Sequence, residues 1–215
     1  MVQIDDLINN VPPVTRVVLG LSIALAVLCT LELLSPLSLY MNWDLVIYER
    51  QWWRLLSCFF FFGDFSIHFC WNMFIYRQYC GSLEELAYRG RSADFVWLLL
   101  TSGALLLVIT AAMHSTSSFL STAMMEVMIY LWSKKNPAAM VHVLFLTVQA
   151  AYLPFVLVFL SLLMGGSIMD YLLGIAVGHI YYFFTDIYPL MPTSGGFQLF
   201  RTPYFLKRVL RQSID

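Results

Sequence analysis

Apolar residues run through this chain in long, nearly unbroken stretches separated by short polar joints, with none of the strict alternation of a half-buried strand. Six stretches stand out, at about residues 17–35, 57–76, 94–113, 118–133, 141–164 and 168–188. Most are near the roughly 20 residues that an α-helix needs to cross a bilayer. The pattern predicts an all-α integral membrane protein with six transmembrane helices.

Two stretches depart from that norm. The fourth opens on a polar cluster (Ser115, Thr116, Ser117, Ser118, Ser121 and Thr122), which leaves it short for a bilayer. A short span thins the membrane or hides inside the bundle. The fifth holds Tyr152-Leu153-Pro154 midway, where a proline kinks or breaks a helix by removing a backbone hydrogen bond. Its first half, with His142, Thr147 and Gln149, reads as a partly submerged segment.

Charge orients the spans. Arg16, Arg77, Arg89, Arg91, Lys134, Lys135, Arg201, Lys207, Arg208 and Arg211 fall on one side, and of the 12 basic residues only Arg50 and Arg54 fall opposite. The positive-inside bias puts both termini in the cytosol, with an N-terminal segment at 1–15 and a short basic tail at 189–215. The 37–56 loop then lies on the lumenal or extracytoplasmic face. With 60% hydrophobic and 12% charged residues the chain is no soluble domain, and residues 1–215 make a single membrane domain. Asp5, Asp6 and two prolines precede the first span in place of a basic leader, so it reads as a retained span. Cys29, Cys58, Cys70 and Cys80 lack CxxC spacing and read as packing residues.

Polar intruders within the apolar stretches should face the bundle or a wet cavity, because lipid penalises them. They are Asn72, Arg77, Glu126, Gln149 and His179, of which Asn72, Glu126 and Gln149 are the candidate lining of a substrate groove. Gly174 and Gly178 lie four apart on one helical face, a small-xxx-small pattern that lets a neighbouring backbone approach closely. In the first loop, Trp53-Arg54 precedes Phe59-Phe60-Phe61-Phe62-Gly63, a run suited to dipping into the headgroup region.

These residues, in order, resemble the Derlin family. The resemblance rests on Trp53-Arg54, Asn72 through Arg77, Leu83-Glu84-Glu85, Arg89 through Phe95, Trp132 through Pro137, Tyr152-Leu153-Pro154 and Gly174-x-x-x-Gly178-His179, and it runs from about Pro12 to Leu206. It implies a six-span rhomboid-like bundle, a proteolytically inactive relative of rhomboid proteases, resident in the endoplasmic reticulum membrane and acting in endoplasmic-reticulum-associated degradation. Trp53, Arg54, Gly174, Gly178 and His179 are the family signature positions. The implied partners are misfolded proteins, a membrane-embedded RING ubiquitin ligase complex, the bilayer and a cytosolic AAA ATPase, with homo- or hetero-oligomers open. Nucleic acid is not among them.

An active serine protease is the rival. That chemistry needs an exposed serine in a Gly-x-Ser-Gly turn and a histidine within hydrogen-bond reach. Phe119-Leu120-Ser121-Thr122-Ala123 has no flanking glycines, and the position of the protease histidine falls on Tyr171. His179 lies eight residues further on, a rise of about 12 Å. No catalytic residue is therefore expected. His68, His114, His142 and His179 are scattered without metal-ligand spacing, no nucleotide-binding loop is present, and no cofactor is expected.

Two functions follow from the resemblance: retrotranslocation of misfolded chains through a thinned, partly hydrophilic groove, or a non-conducting adaptor that links substrates to the ligase. A transporter would show an inverted repeat, which the sequence lacks. The stretch from Arg201 to Asp215 carries no Phe/Gly-rich ATPase-binding box. Either the sequence is a piece of a longer chain or the ATPase is recruited through another subunit.

Overall fold

A computed structural model describes residues 11–113, 119–143, 146–164, 166–192 and 199–210. The acidic pair Asp5 and Asp6, His114 with the polar residues 115–118, and Arg211 lie outside the described residues.

The structure is mostly helical. Helix α1 (Pro13–Thr30) is followed by two short helices, α2 (Trp43–Tyr48) and α3 (Arg54–Ser57), which structure the first loop. Helix α4 (Ile67–Ile75) runs through a π turn (Tyr76–Cys80) into α5 (Gly81–Ala87). Then come α6 (Ser92–Ala112) and α7 (Ser121–Lys135). Two strands, β1 (Met140–Val143) and β2 (Leu146–Gln149), form an antiparallel hairpin with Met140 opposite Gln149. Helix α8 (Leu153–Leu163) precedes α9 (Ile168–Tyr182), which continues through a π turn (Phe183–Ile187), and α10 (Tyr204–Val209) lies in the tail.

Among the described residues three helices are long and apolar enough to cross a membrane: Pro13–Thr30, Ser92–Ala112 and Ile168–Leu190. Fewer than two-fifths of the residues in each are buried, 28%, 39% and 28%, so most of their apolar surface faces outward. Val17, Val108, Phe155, Phe159 and Leu172 all project from the bundle. Such a surface is a liability in water and the expected lipid contact in a membrane.

The inner helix is α7. It buries twelve of its fifteen residues, from Ser121 through Ser133 except Thr122, and α9 packs on it more extensively than any other helix. At 1.5 Å per residue α7 is about 22 Å long and the eleven-residue α8 about 16 Å, against a hydrocarbon core of about 30 Å. The short fourth stretch is thus enclosed by the rest of the bundle.

The fifth stretch corrects the sequence reading. Residues 141–164 do not form one kinked helix, and the architecture is not purely α. Pro154 sits in the first turn of α8, where a missing N–H costs nothing because that donor has no helical partner anyway. The preceding residues, with Val141, Val143, Thr147 and Val148 among them, pair as the hairpin.

Candidate functional site

The first loop is folded around Arg54, which is 5% exposed. Its Nη1 donates to the carbonyl oxygens of Leu37 (2.8 Å) and Tyr40 (2.9 Å), its Nε donates to Gln51 Oε1 (2.6 Å), and its guanidinium lies 4.9 Å from the Tyr40 ring centroid. The arginine of the Trp-Arg pair is thus an internal clamp for the loop. Trp53 and Trp52 are exposed, at 57% and 61%, as interfacial anchors are. Arg54→Ala should lower stability by about 2–4 kcal/mol, because the first loop loses three charge-assisted hydrogen bonds from one buried guanidinium. Arg54→Lys should recover only part of that, since one ammonium cannot reproduce the planar fork. Thermal unfolding of the purified chain, with protease nicking between residues 37 and 56, would report both effects.

The signature of the sixth stretch is a contact with the fourth. A Cβ on Gly174 would stand 2.5 Å from the Ala123 carbonyl oxygen and 2.6 Å from Glu126 Cβ, and one on Gly178 would stand 3.0 Å from Tyr130 Cδ1. Both glycines therefore hold α9 directly on α7. His179 lies at the edge of the same interface, where its Nδ1 is 2.7 Å from the Tyr130 hydroxyl. It is an exposed residue with an interhelical hydrogen bond.

The three candidate groove residues do not come together. Asn72 is buried in α4, its side-chain nitrogen 3.4 Å from His68 Nδ1 and its Oδ1 without a hydrogen-bond partner among the described residues. Glu126, in α7, is fully enclosed, and among the described residues neither carboxyl oxygen has a partner. Gln149 is exposed at the end of β2, a correction to its expected place inside the bundle, because the hairpin turns that residue outward. None of the three lines the cavity between α6, α7 and α9.

That cavity, of about 710 Å³, opens where α6 ends and α7 and α9 begin. Phe61, Phe62 and Phe119 form aromatic wall, while His68, Thr122 and Asp170 bring polar groups to it. Ser121 and Tyr171 line it as well. Ser121 is buried and donates its hydroxyl hydrogen to the Phe61 carbonyl oxygen (2.6 Å). His179 instead meets Tyr130, nine residues beyond Ser121, roughly 13 Å along α7. Among the described residues no three His, Cys, Asp or Glu side chains converge as a metal site.

Sequence reasoning gave three of these positions no role. His68 and Asp170 carried a visible signal, a titratable group at the edge of an apolar stretch, but only tertiary packing brings them to one cavity. Glu84 is the third. Its carboxylate accepts from the backbone N–H groups of Val14 (2.9 Å) and Thr15 (2.8 Å) and from the Thr15 hydroxyl (2.7 Å), capping α1 from a helix about 70 residues away.

Comparison with known proteins agrees with this picture. The model of the Der1-like family matches residues 11–204. The chain is 38% identical to Derlin-2.2 of Zea mays over 216 residues, covering 95% of this chain and 85% of that protein. It is 37% identical to Derlin-2.2 of Arabidopsis thaliana, over 95% and 86% of the two chains. The probable derlin-2 homolog of Dictyostelium discoideum is 34% identical over 96% of this chain and 82% of that protein.

Proposed function

Since this chain belongs to the Der1-like family, we propose that it is a non-proteolytic component of endoplasmic-reticulum-associated degradation that receives misfolded chains in a thinned part of the endoplasmic reticulum membrane. The observation that carries this reading is the cavity of about 710 Å³ beside α7 and α8, two helices too short for a full bilayer. An unfolded segment in hydrocarbon leaves backbone groups unsatisfied at several kcal/mol each. Beside short helices it has less hydrocarbon to cross, and His68, Thr122 and Asp170 offer it polar contacts on the way.

In this reading the chain crosses the membrane six times with both termini cytosolic, and Trp53 pins the first loop to the lumenal interface. The RING ubiquitin ligase and the AAA ATPase supply ubiquitin transfer and pulling force from outside the chain. The Ser121–Phe61 hydrogen bond, and the seating of His179 on Tyr130 roughly 13 Å along α7 from Ser121, support the absence of proteolysis, since a serine dyad needs a free hydroxyl and a histidine within reach of it.

Thr122 lines the cavity at the first turn of α7. Thr122→Phe should fill part of it and lengthen the half-life of a misfolded lumenal protein several-fold, at unchanged levels of the variant. Pulse-chase measurement checks this, and unchanged turnover would count for the adaptor reading.

A further inference from the structure

A second cavity, of about 450 Å³, lies at the other end of the bundle, where α6 begins and α7 and α9 end. Its lining is polar and carries a surplus of positive charge. Arg91, Lys135, Arg201 and Lys207 face it, against two carboxylates, Asp94 and Asp186. Each carboxylate already has a cation beside it: Arg91 Nε is 4.0 Å from Asp94, and Lys135 Nζ is 3.2 Å from Asp186. Among the described residues no carboxylate pairs with Arg201 or Lys207. Two cations on the tail are thus left to answer a ligand.

The tail is built into this site. Phe200 stacks on Tyr181 with ring centroids 5.4 Å apart and planes 10° from parallel, and its carbonyl oxygen accepts from the Trp97 indole N–H at 3.2 Å. These contacts fix Arg201 at the rim. Burial and the neighbouring Tyr181 and Asp186 push the Tyr88 phenol up from its ordinary value, and it lines the cavity as a hydrogen-bonding group. Helix α10 carries Lys207 to the same cavity, while its Tyr204, Phe205 and Val209 are exposed at 63%, 65% and 71%. Apolar residues outward and lysine and arginine alongside describe a segment lying in the interface of a membrane.

We propose that this cavity binds a phosphate-bearing anionic group, supplied by a membrane lipid headgroup or by a soluble phosphate ester. A guanidinium and an ammonium converging on one open, polar site suit a phosphate oxygen pair, and its volume suits a polyol headgroup better than a lone ion. Bases beside the last span draw anionic lipid to the surface. The site is at the opposite end of α7 from the substrate cavity, and it does not depend on that cavity's function.

The test is native mass spectrometry of the full chain in detergent micelles, with a phosphatidylinositol monophosphate, phosphatidylcholine and soluble inositol trisphosphate as probes. The phosphoinositide should be retained at least about tenfold better than phosphatidylcholine. Arg201→Gln with Lys207→Gln should weaken that retention about thirtyfold, at roughly five- to sixfold per basic residue. Lys207→Gln alone, the milder change, should cost about fivefold, and Arg89→Gln, an exposed base outside the cavity, should cost nothing. Equal binding of inositol trisphosphate and of the lipid would assign the site to a soluble ester. Retention equal to that of phosphatidylcholine, or unchanged in the Lys207→Gln variant, would overturn the proposal.

Discussion

Replacing Gly174 with valine should leave almost no folded protein in the membrane, the largest effect expected of any single substitution here. The first added carbon would already stand 2.5 Å from a backbone oxygen of α7, which no rotamer change can move. Overpacking commonly costs about 1–3 kcal/mol, and a collision with backbone at a helix crossing exceeds that range. In lipid the loss is not recovered elsewhere, because helices there associate through close packing rather than by escaping water. Gly174→Ala should destabilise as well. Gly178→Ala should be milder, since the Tyr130 ring at 3.0 Å can tilt, at the expense of its hydrogen bond to His179. Gly20→Ala is the internal control. Its Cβ meets nothing within 4 Å, and α1 should gain up to about 1 kcal/mol of helix propensity. Thermal unfolding in detergent orders the four variants, and equal melting of Gly174→Val and the parent would remove the glycine contact from the account.

Glu84→Ala should cost about 3 kcal/mol or more and should free α1 from the bundle. Helix α1 begins at Pro13 after Pro12, with no side chain of its own at the cap. The carboxylate of Glu84 takes that place, satisfying two orphan N–H groups and the Thr15 hydroxyl while setting a negative charge at the positive end of the helix. Each charged hydrogen bond contributes about 1.5–3 kcal/mol, and its removal leaves buried donors unpaired. Glu84→Gln should fall between, keeping acceptor oxygen without the charge. The check is the melting temperature, read together with protease cleavage between α1 and α2. An alanine variant as stable as the parent would mean that α1 is held by its apolar face alone.

The sequence carried much of this, and where it failed the reason is physical. Gly174 and Gly178 were legible because helical periodicity alone places them on one face, and any partner helix must then come close. The shortness of the fourth stretch was legible because length against the bilayer is a local property. Pro154 misled because the same residue breaks a helix interior and begins a helix, and only the strand pairing of the residues before it decides between the two. Arg54 stands in sequence only as half of a Trp-Arg pair, because its partners are carbonyls 14 and 17 residues away in a loop whose fold no periodicity describes. Glu126 and Gln149 were grouped with Asn72 by polarity. Polarity says that a residue avoids lipid, and says nothing about whether it meets a cavity, a sealed core or an exposed hairpin. The cavity itself depends on His68, Thr122 and Asp170 arriving from three helices, a tertiary fact beyond any local pattern.

The most direct test of the central claim, that misfolded chains pass through the cavity at the head of α7, is site-specific photocrosslinking in intact endoplasmic reticulum membranes during degradation of a misfolded soluble lumenal protein. Probes belong at Thr122 and Asp170 in the cavity wall, at Trp53 in the first loop, and at exposed Gln149. The account predicts strong crosslinks to substrate from Thr122 and Asp170 and few from Gln149. Crosslinks confined to Trp53, with only lipid or neighbouring helices captured from the cavity wall, would contradict it and leave the chain a receptor or adaptor.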